Sequence, residues 1–256
     1  MNIFVLMKRT FDTEEKIFIK NGQIHEGDAE FIINPYDEYA IEEAIVLKEK
    51  HGGEVTVVTV GEEDGEAQLR TALAMGADKA ILINIEDLDH VDTYTVASIL
   101  VKYLEKQEID LILAGNMTVD GGSAQIGPLV AEGLGIAQVT SITKLDVNDG
   151  KALIVRDVEG DMETIEVSLP ILVTAQQGLN EPRYPSLPGI MKAKKKPLEI
   201  VELDDLDIDE EDVEAKTSSI EVFLPHEKQA GKRLEGEARE QVKQLVSLLS
   251  SEAKVL

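Results

Sequence analysis

Cysteine is absent from the 256 residues, which excludes a disulfide scaffold, a thiolate metal site and a cysteine nucleophile. A chain without thiols is compatible with a reducing compartment. No uninterrupted apolar run approaches the ~20 residues that a membrane helix requires. A secretory leader is not expected either. Met1-Asn2-Ile3-Phe4-Val5-Leu6-Met7 runs straight into a strand-like segment, without a preceding basic region or a small-residue cleavage site. A soluble, cytoplasmic protein is the expectation. Positive charge is scarce: 25 Lys and Arg stand against 50 Asp and Glu, for a formal net charge of −25. Such a field repels a phosphate backbone and argues against nucleic acid as a partner. It serves solubility, and it would also suit pairing with a basic patch on another protein.

What is present is enough apolar material for a sizeable core, at 43 % of the chain. The length suits one large domain, or one domain plus an extension. The first two thirds alternate apolar runs with helical patterns. Asn2 to Met7, Glu54 to Val60, Ala80 to Ile85 and Ile109 to Ala114 are short and apolar on both faces, as strands buried in a parallel sheet are. Between them, helices are expected from Pro35 to His51, Glu62 to Met75 and Thr93 to Gln107, the first stopped by Gly52-Gly53. The alternation means βαβ units. Thr140 to Val147, Leu153 to Val158 and Thr164 to Leu169 then read as strands joined by short turns, before the buried-type run that ends at Ala175. The expected fold is α/β: a doubly wound, mainly parallel Rossmann-like sheet with helices on both faces.

Composition changes after Leu179. Pro185, Pro188 and Gly189 discourage helix or strand. A basic stretch at Lys192, Lys194, Lys195 and Lys196 gives way to an acidic one from Glu202 to Glu214, which is not expected to supply core. The tail ends in an amphipathic helix with Ala238, Val242, Leu245, Val246 and Leu249 on one face, suited to docking on another chain. We expect an α/β domain over 1–190 and an extended arm with its helix over 191–256.

The main candidate site follows the strand that ends at Ala114. It comprises Gly115, Asn116, Met117, Thr118, Val119, Asp120, Gly121, Gly122, Ser123, Ala124, Gln125, Ile126 and Gly127, and leads into a helical pattern from Leu129 to Leu134. A strand, a glycine-bearing loop and a helix N-terminus together present free N–H groups and a positive dipole end to an anion. Gly121 and Gly122 would let the backbone approach a phosphate, and Ser123 would cap the helix or donate to a phosphate oxygen. A plain strand-to-helix turn capped by Ser123 explains the same residues. Named motifs fail here. Pro128 stands where a Walker A lysine would, Gln125 where a nucleophile elbow needs glycine, and no GxGxxG follows the first strand. These failures favour a held ligand over a hydrolysed one. A second candidate is Asn34, Pro35, Tyr36 and Asp37, with Asn34 as helix cap, Pro35 at the first helical position, and the turn at the ligand-binding edge of the sheet. Histidines 25, 51, 90 and 226 form no i,i+4 pair, so no metal site is expected, and no catalytic constellation is evident.

From Leu179 to Lys196 the chain resembles the beta subunit of electron-transfer flavoproteins, through Leu179-Asn180-Glu181-Pro182-Arg183-Tyr184-Pro185 and Ser186-Leu187-Pro188-Gly189-Ile190-Met191-Lys192. Val155-Arg156 with Glu159-Gly160, Asn34 to Glu38, Leu69 to Asp78, and Leu113-Ala114-Gly115 with the Asp120 to Gly127 loop extend the resemblance in order along the chain. It implies a non-catalytic carrier subunit, paired with a larger alpha subunit that holds most of the FAD. A structural AMP would be lined by Leu6, Asn34 to Asp37, Val60 and Asn116 to Gly127. Tyr36 would also lie near the flavin. Pro185, Ser186, Leu187, Pro188, Gly189, Ile190 and Met191 would form the recognition loop, with Leu187 entering acyl-CoA dehydrogenases and other flavin dehydrogenases. Two alternatives stay open: a bifurcating relative with a second FAD in place of AMP, whose loop Gln125-Ile126-Gly127-Pro128 resembles, and a nucleotide-binding regulatory module.

Overall fold

The computed structural model describes residues 1–27, 29–225 and 230–256, with only the backbone of Glu210. His226 lies outside the described residues. The strands are β1 (Asn2–Leu6), β2 (Arg9–Phe11), β3 (Phe18–Lys20), β4 (Gln23–His25), β5 (Phe31–Ile33), β6 (Glu54–Gly61) and β7 (Lys79–Asn84). They continue with β8 (Leu111–Gly115), β9 (Ala137–Asn148), β10 (Lys151–Val158), β11 (Asp161–Ser168), β12 (Ile171–Ala175) and β13 (Leu198–Val201). The helices are α1 (Pro35–His51), α2 (Glu66–Met75), α3 (Thr93–Leu104), α4 (Ile126–Leu134), α5 (Leu187–Ala193) and α6 (Ala238–Ser251).

A nine-stranded sheet in the order β11-β10-β9-β12-β8-β1-β6-β7-β13 forms the framework. Every pairing from β9 to β13 across it is parallel, and β10 and β11 extend it antiparallel beyond β9. The alternation of side chains along each strand splits the core in two. Ile3, Val5, Val55, Val57, Leu111 and Leu113 point to one face, where Ile41, Ile45, Leu69 and Leu73 of α1 and α2 cover them. Phe4, Leu6, Val58, Ile81, Ile83 and Ile112 point to the other, under Ile99, Leu100, Leu104 and Val130 of α3 and α4. Each fully buried Leu or Ile contributes about 2 kcal/mol of hydrophobic stabilisation. The doubly wound α/β expectation holds.

Two expectations about the last third do not. Residues 187–193 form a helix, although Pro188 and Gly189 read as breakers. Proline is tolerated in a first turn, and the Ser186 hydroxyl accepts the N–H of Gly189 at 3.2 Å to cap it. The acidic stretch also supplies core. Val201, Leu206, Ile208 and Val213 are buried against α3 and its neighbours, and β13 joins the sheet beside β7. Asp204, Asp205, Asp207, Asp209, Glu211 and Asp212 are exposed between these apolar positions, so a high charge count coexists with an inward stripe.

Cα packing divides the chain into two units. The first comprises Met1–Ile17 and His25–Ile220 and contains the whole nine-stranded sheet. The second comprises Phe18–Ile24 and Glu221–Leu256. In it β3 runs into β4 through Asn21-Gly22, both at positive φ as a tight hairpin turn requires, and α6 has no buried residue. No helix among the described residues is long and apolar enough to cross a membrane.

Candidate functional site

The chain leaves β1 for β6 and β7 on one side, then returns to β8 on the other. Between the carboxyl ends of β1 and β8 the crossovers therefore diverge, and this switch point is where open α/β sheets hold ligands. A cavity of about 400 Å³ opens there. One wall is apolar: Leu6, Val58, Val60 and Ile85 from the strand ends, with Val96 and Leu100 from α3. The opposite wall is the loop after β8 and the first turn of α4.

That loop is fastened at several points. The Asn116 N–H donates to the Ala175 carbonyl at 2.9 Å, and its Oδ1 accepts from the hydroxyls of Ser141 (2.9 Å) and Thr174 (3.1 Å). Asn34, fully buried, donates Nδ2 to the Met117 carbonyl (3.0 Å) and accepts the Val119 N–H (3.1 Å). Contrary to the sequence expectation, its side chain does not cap α1. It spans from the start of α1 to the loop, and Pro35 follows at the first helical position. Asp37 is the hub. Its carboxylate accepts the N–H of Lys8 (2.7 Å), the N–H of Gly115 (3.0 Å) and Nδ2 of Asn34 (2.9 Å), joining β1, β8 and α1. Burial pushes its pKa up to about 7, against those three donors and the Lys8 charge, which pull it down.

Gly115 and Gly127 matter through close packing. A Cβ on Gly115 would collide with the Asp37 carboxylate and lie 2.7 Å from Tyr36 Cβ; one on Gly127 would lie 2.6 Å from Thr174 Cγ2. Gly122 has φ +63° with open space around it, and Ala124 shares the left-handed region at +54°. The first residue before α4 is Gln125, and no side chain caps the helix. Ser123 is thus not the cap that sequence suggested. Unclaimed N–H groups in a first turn, facing a cavity, are an anion-binding arrangement.

Charge around the cavity is mixed. Lys8 reaches Asp120 at 2.5 Å across the loop. Burial raises the Asp120 carboxyl, but Lys8, Thr118 and the Gly121 N–H together hold it below its ordinary value. Asp92 caps α3 through the Thr95 N–H (2.9 Å), and its other oxygen accepts the N–H groups of Lys216 (2.8 Å) and Thr217 (2.9 Å). Partial burial raises its pKa, yet these donors outweigh it and bring the group down to about 2. The chain after the acidic stretch is therefore pinned beside the cavity mouth.

Of the residues expected at a nucleotide site, Leu6, Asp37, Val60, Asn116, Met117, Thr118, Gly121, Ser123, Ala124, Gln125, Ile126 and Gly127 line the cavity. Asn34, Pro35, Tyr36, Val119, Asp120 and Gly122 do not; Asn34 lies behind the loop as its support. Gly115, at the head of the expected loop, also lines the cavity, while sequence reasoning missed Lys8 and the α3 wall. Lys8 lies just past the end of β1 at the switch point, so the sheet-edge rule was a usable signal.

The expected recognition residues lie on and just before α5. Leu187, Ile190, Met191 and the preceding Tyr184 are exposed, while Pro185 and Ile190 border a cavity of about 390 Å³ between α5 and Arg70, Thr71 and Ala74 of α2.

The electron transfer flavoprotein domain family matches residues 21–206 of this chain. The chain is 66 % identical over 257 residues to the electron transfer flavoprotein subunit beta of Bacillus subtilis (strain 168), covering 100 % of both. It is 42 % identical over 257 residues to the protein of that name from Thermoanaerobacterium thermosaccharolyticum, covering 98 % of each. With the Bos taurus protein of that name identity is 36 % over 241 residues, 92 % of this chain and 93 % of the other. A doubly wound sheet, a fastened glycine loop at its switch point and full-length similarity together lead to one conclusion: this chain belongs to the beta-subunit family of electron transfer flavoproteins.

Proposed function

We propose that the chain is the beta subunit of a heterodimeric electron carrier. It accepts electrons from flavin dehydrogenases such as acyl-CoA dehydrogenases and delivers them to a downstream acceptor, and it is not an enzyme that completes a reaction alone. The redox chemistry belongs to FAD, held mainly by a larger alpha subunit. This chain's own ligand is AMP, a structural group that takes no part in electron transfer. The observation that carries the reading is the switch-point cavity, with an apolar wall for a purine ring and the uncapped first turn of α4 for a phosphate. Its volume of about 400 Å³ suits a mononucleotide, and a flavin dinucleotide would project beyond it. Asp37 and Asn34 hold the loop; Gly115 and Gly127 let the backbones approach. Tyr184, Leu187, Ile190 and Met191 form the surface that meets the dehydrogenases, and the apolar face of α6 packs on the alpha subunit.

The test is co-purification from native cells, followed by a visible spectrum and nucleotide extraction. A yellow complex with one larger chain in equal amount, yielding one FAD and one AMP, is expected. Two FAD and no AMP would replace this reading with the bifurcating one. A colourless, solitary chain would favour the regulatory module.

A further inference from the structure

The exposed apolar residues of the docking surface are not held by packing beneath them. Tyr184, Leu187 and Met191 are 94 %, 79 % and 72 % exposed, and α5 borders a cavity where it faces α2. Polar anchors flank them on both sides. On the N-terminal side, Arg183 lies along α1. Its Nε and Nη2 donate to Glu42 at 2.9 Å each, its Nη1 donates to Glu49 at 2.7 Å, and its own N–H adds a further bond to Glu42 at 3.1 Å. Three residues earlier, Asn180 donates to the Tyr39 carbonyl and to Glu43, each at 3.0 Å. On the C-terminal side, Arg70 of α2 donates to the carbonyls of Ala193 (3.1 Å) and Lys196 (3.0 Å). Lys196 answers by donating to the Leu73 carbonyl at 2.9 Å, near the end of the same helix. At the middle, Gly189 passes so near α2 that a Cβ would lie 2.5 Å from the Ala74 carbonyl oxygen.

Resting on the proposed role of this surface, we infer that Arg183 is a positioning residue for dehydrogenase docking, and that its fork on Glu42 and Glu49, with the Arg70–Lys196 exchange, preorganises α5. Glu42 is only 6 % exposed, and Arg183 supplies the ion pair that its buried side chain makes. A planar guanidinium can hold two carboxylates about two turns apart on α1, where an ammonium offers one point of charge. Holding the segment before the encounter removes an ordering cost from binding and leaves electron transfer within the formed complex untouched. The consequence is a split: loss of the fork raises KM for the carrier and spares kcat.

The experiment uses the flavin-loaded complex with its larger subunit. Reduction by a reduced acyl-CoA dehydrogenase is followed against carrier concentration for the wild type, Arg183→Ala, Arg183→Lys, Glu49→Gln and Leu187→Ala. Arg183→Ala should raise KM about tenfold with kcat and flavin content nearly unchanged, and should lower the melting temperature because Glu42 is left buried without its partner. Arg183→Lys should recover only part of the loss. Should Arg183→Ala not fold, Glu49→Gln, on a largely exposed side chain, cuts one arm of the fork and should raise KM roughly threefold. A KM unmoved by the Arg183 and Glu49 variants while Leu187→Ala raises it would overturn the inference alone. A KM unmoved by Leu187→Ala would overturn the docking surface itself, and this inference with it. A fall in kcat and flavin content along with the KM change would make Arg183 a general structural residue, contrary to the inference.

Discussion

At the scale of single residues, Gly115 and Gly122 separate two reasons for a glycine in one loop. Gly115 has no room for a side chain, since Asp37 and Tyr36 occupy the space. Gly115→Ala must push the Asp37 carboxylate off three donors and should cost about 3 kcal/mol in urea unfolding. Gly122 has open space and a positive φ, so Gly122→Ala should cost roughly 1 kcal/mol, from backbone conformation alone. Equal costs would mean that the Gly115 contact relaxes freely. Asp37 predicts a pH dependence. Its folded pKa, about 7, stands above the ordinary 3.8, so the native state binds its proton more tightly than the unfolded chain does. The stability this contributes is fully present below 3.8 and is lost as pH rises through about 7. Asp37→Asn does not titrate, so the stability gap between wild type and variant should narrow from pH 4 to pH 8. A gap that stays constant would show that the three donors keep Asp37 ionised throughout.

At the scale of elements, what could be read from sequence was what is local. Pro35 at the first position and Gly52-Gly53 at the end bounded α1 correctly over its 17 residues. The run from β8 through the glycine loop to α4 was legible because strand, turn and helix N-terminus are contiguous. The α3 wall of the same cavity was not, because only the sheet order brings Val96 and Leu100 opposite that loop. Asn34 was recognisable as the residue before α1, yet its partners Met117 and Val119 lie more than 80 residues away. Short β3 and β4 went unread, although Asn21-Gly22 is a strong hairpin signal. The acidic stretch was misjudged because a count of charges hid the spacing of Val201, Leu206, Ile208 and Val213. That error makes a prediction. Val213, 2 % exposed in the short helix Glu210–Val213, packs with the α3 side of the core. Val213→Ala should therefore cost about 2 kcal/mol in urea unfolding, the value of a core position. A change within 0.5 kcal/mol, which is ordinary for a surface site, would return the stretch to the status of a solvated arm.

At the scale of the whole molecule, the proposed function gives the sheet unit most of the stability and the C-terminal helix a contact with the larger subunit. The unit from Met1–Ile17 and His25–Ile220 holds the nine-stranded sheet and both apolar clusters. The segment from Glu221 onward ends in α6, whose Val242, Leu245 and Val246 are all about half exposed or more. An isolated helix of 14 residues is marginal in water, so an apolar stripe of this kind is stabilised by what it packs on. A chain ending at Ile220 should then keep the urea midpoint of the intact protein to within the error of the measurement. The same truncation should weaken co-purification of the larger subunit about tenfold or more, because several apolar side chains would be withdrawn from one interface. The two readings are independent. A lowered midpoint would mean that the tail stabilises the sheet unit directly, and undiminished co-purification would remove α6 from the subunit contact. Net charge gives the result a further check. At −25 the chain repels itself, and added salt screens that repulsion in the truncated and intact forms alike. A subunit contact made by the apolar face of α6 should therefore persist at high salt, whereas one made by the acidic stretch should weaken as salt rises.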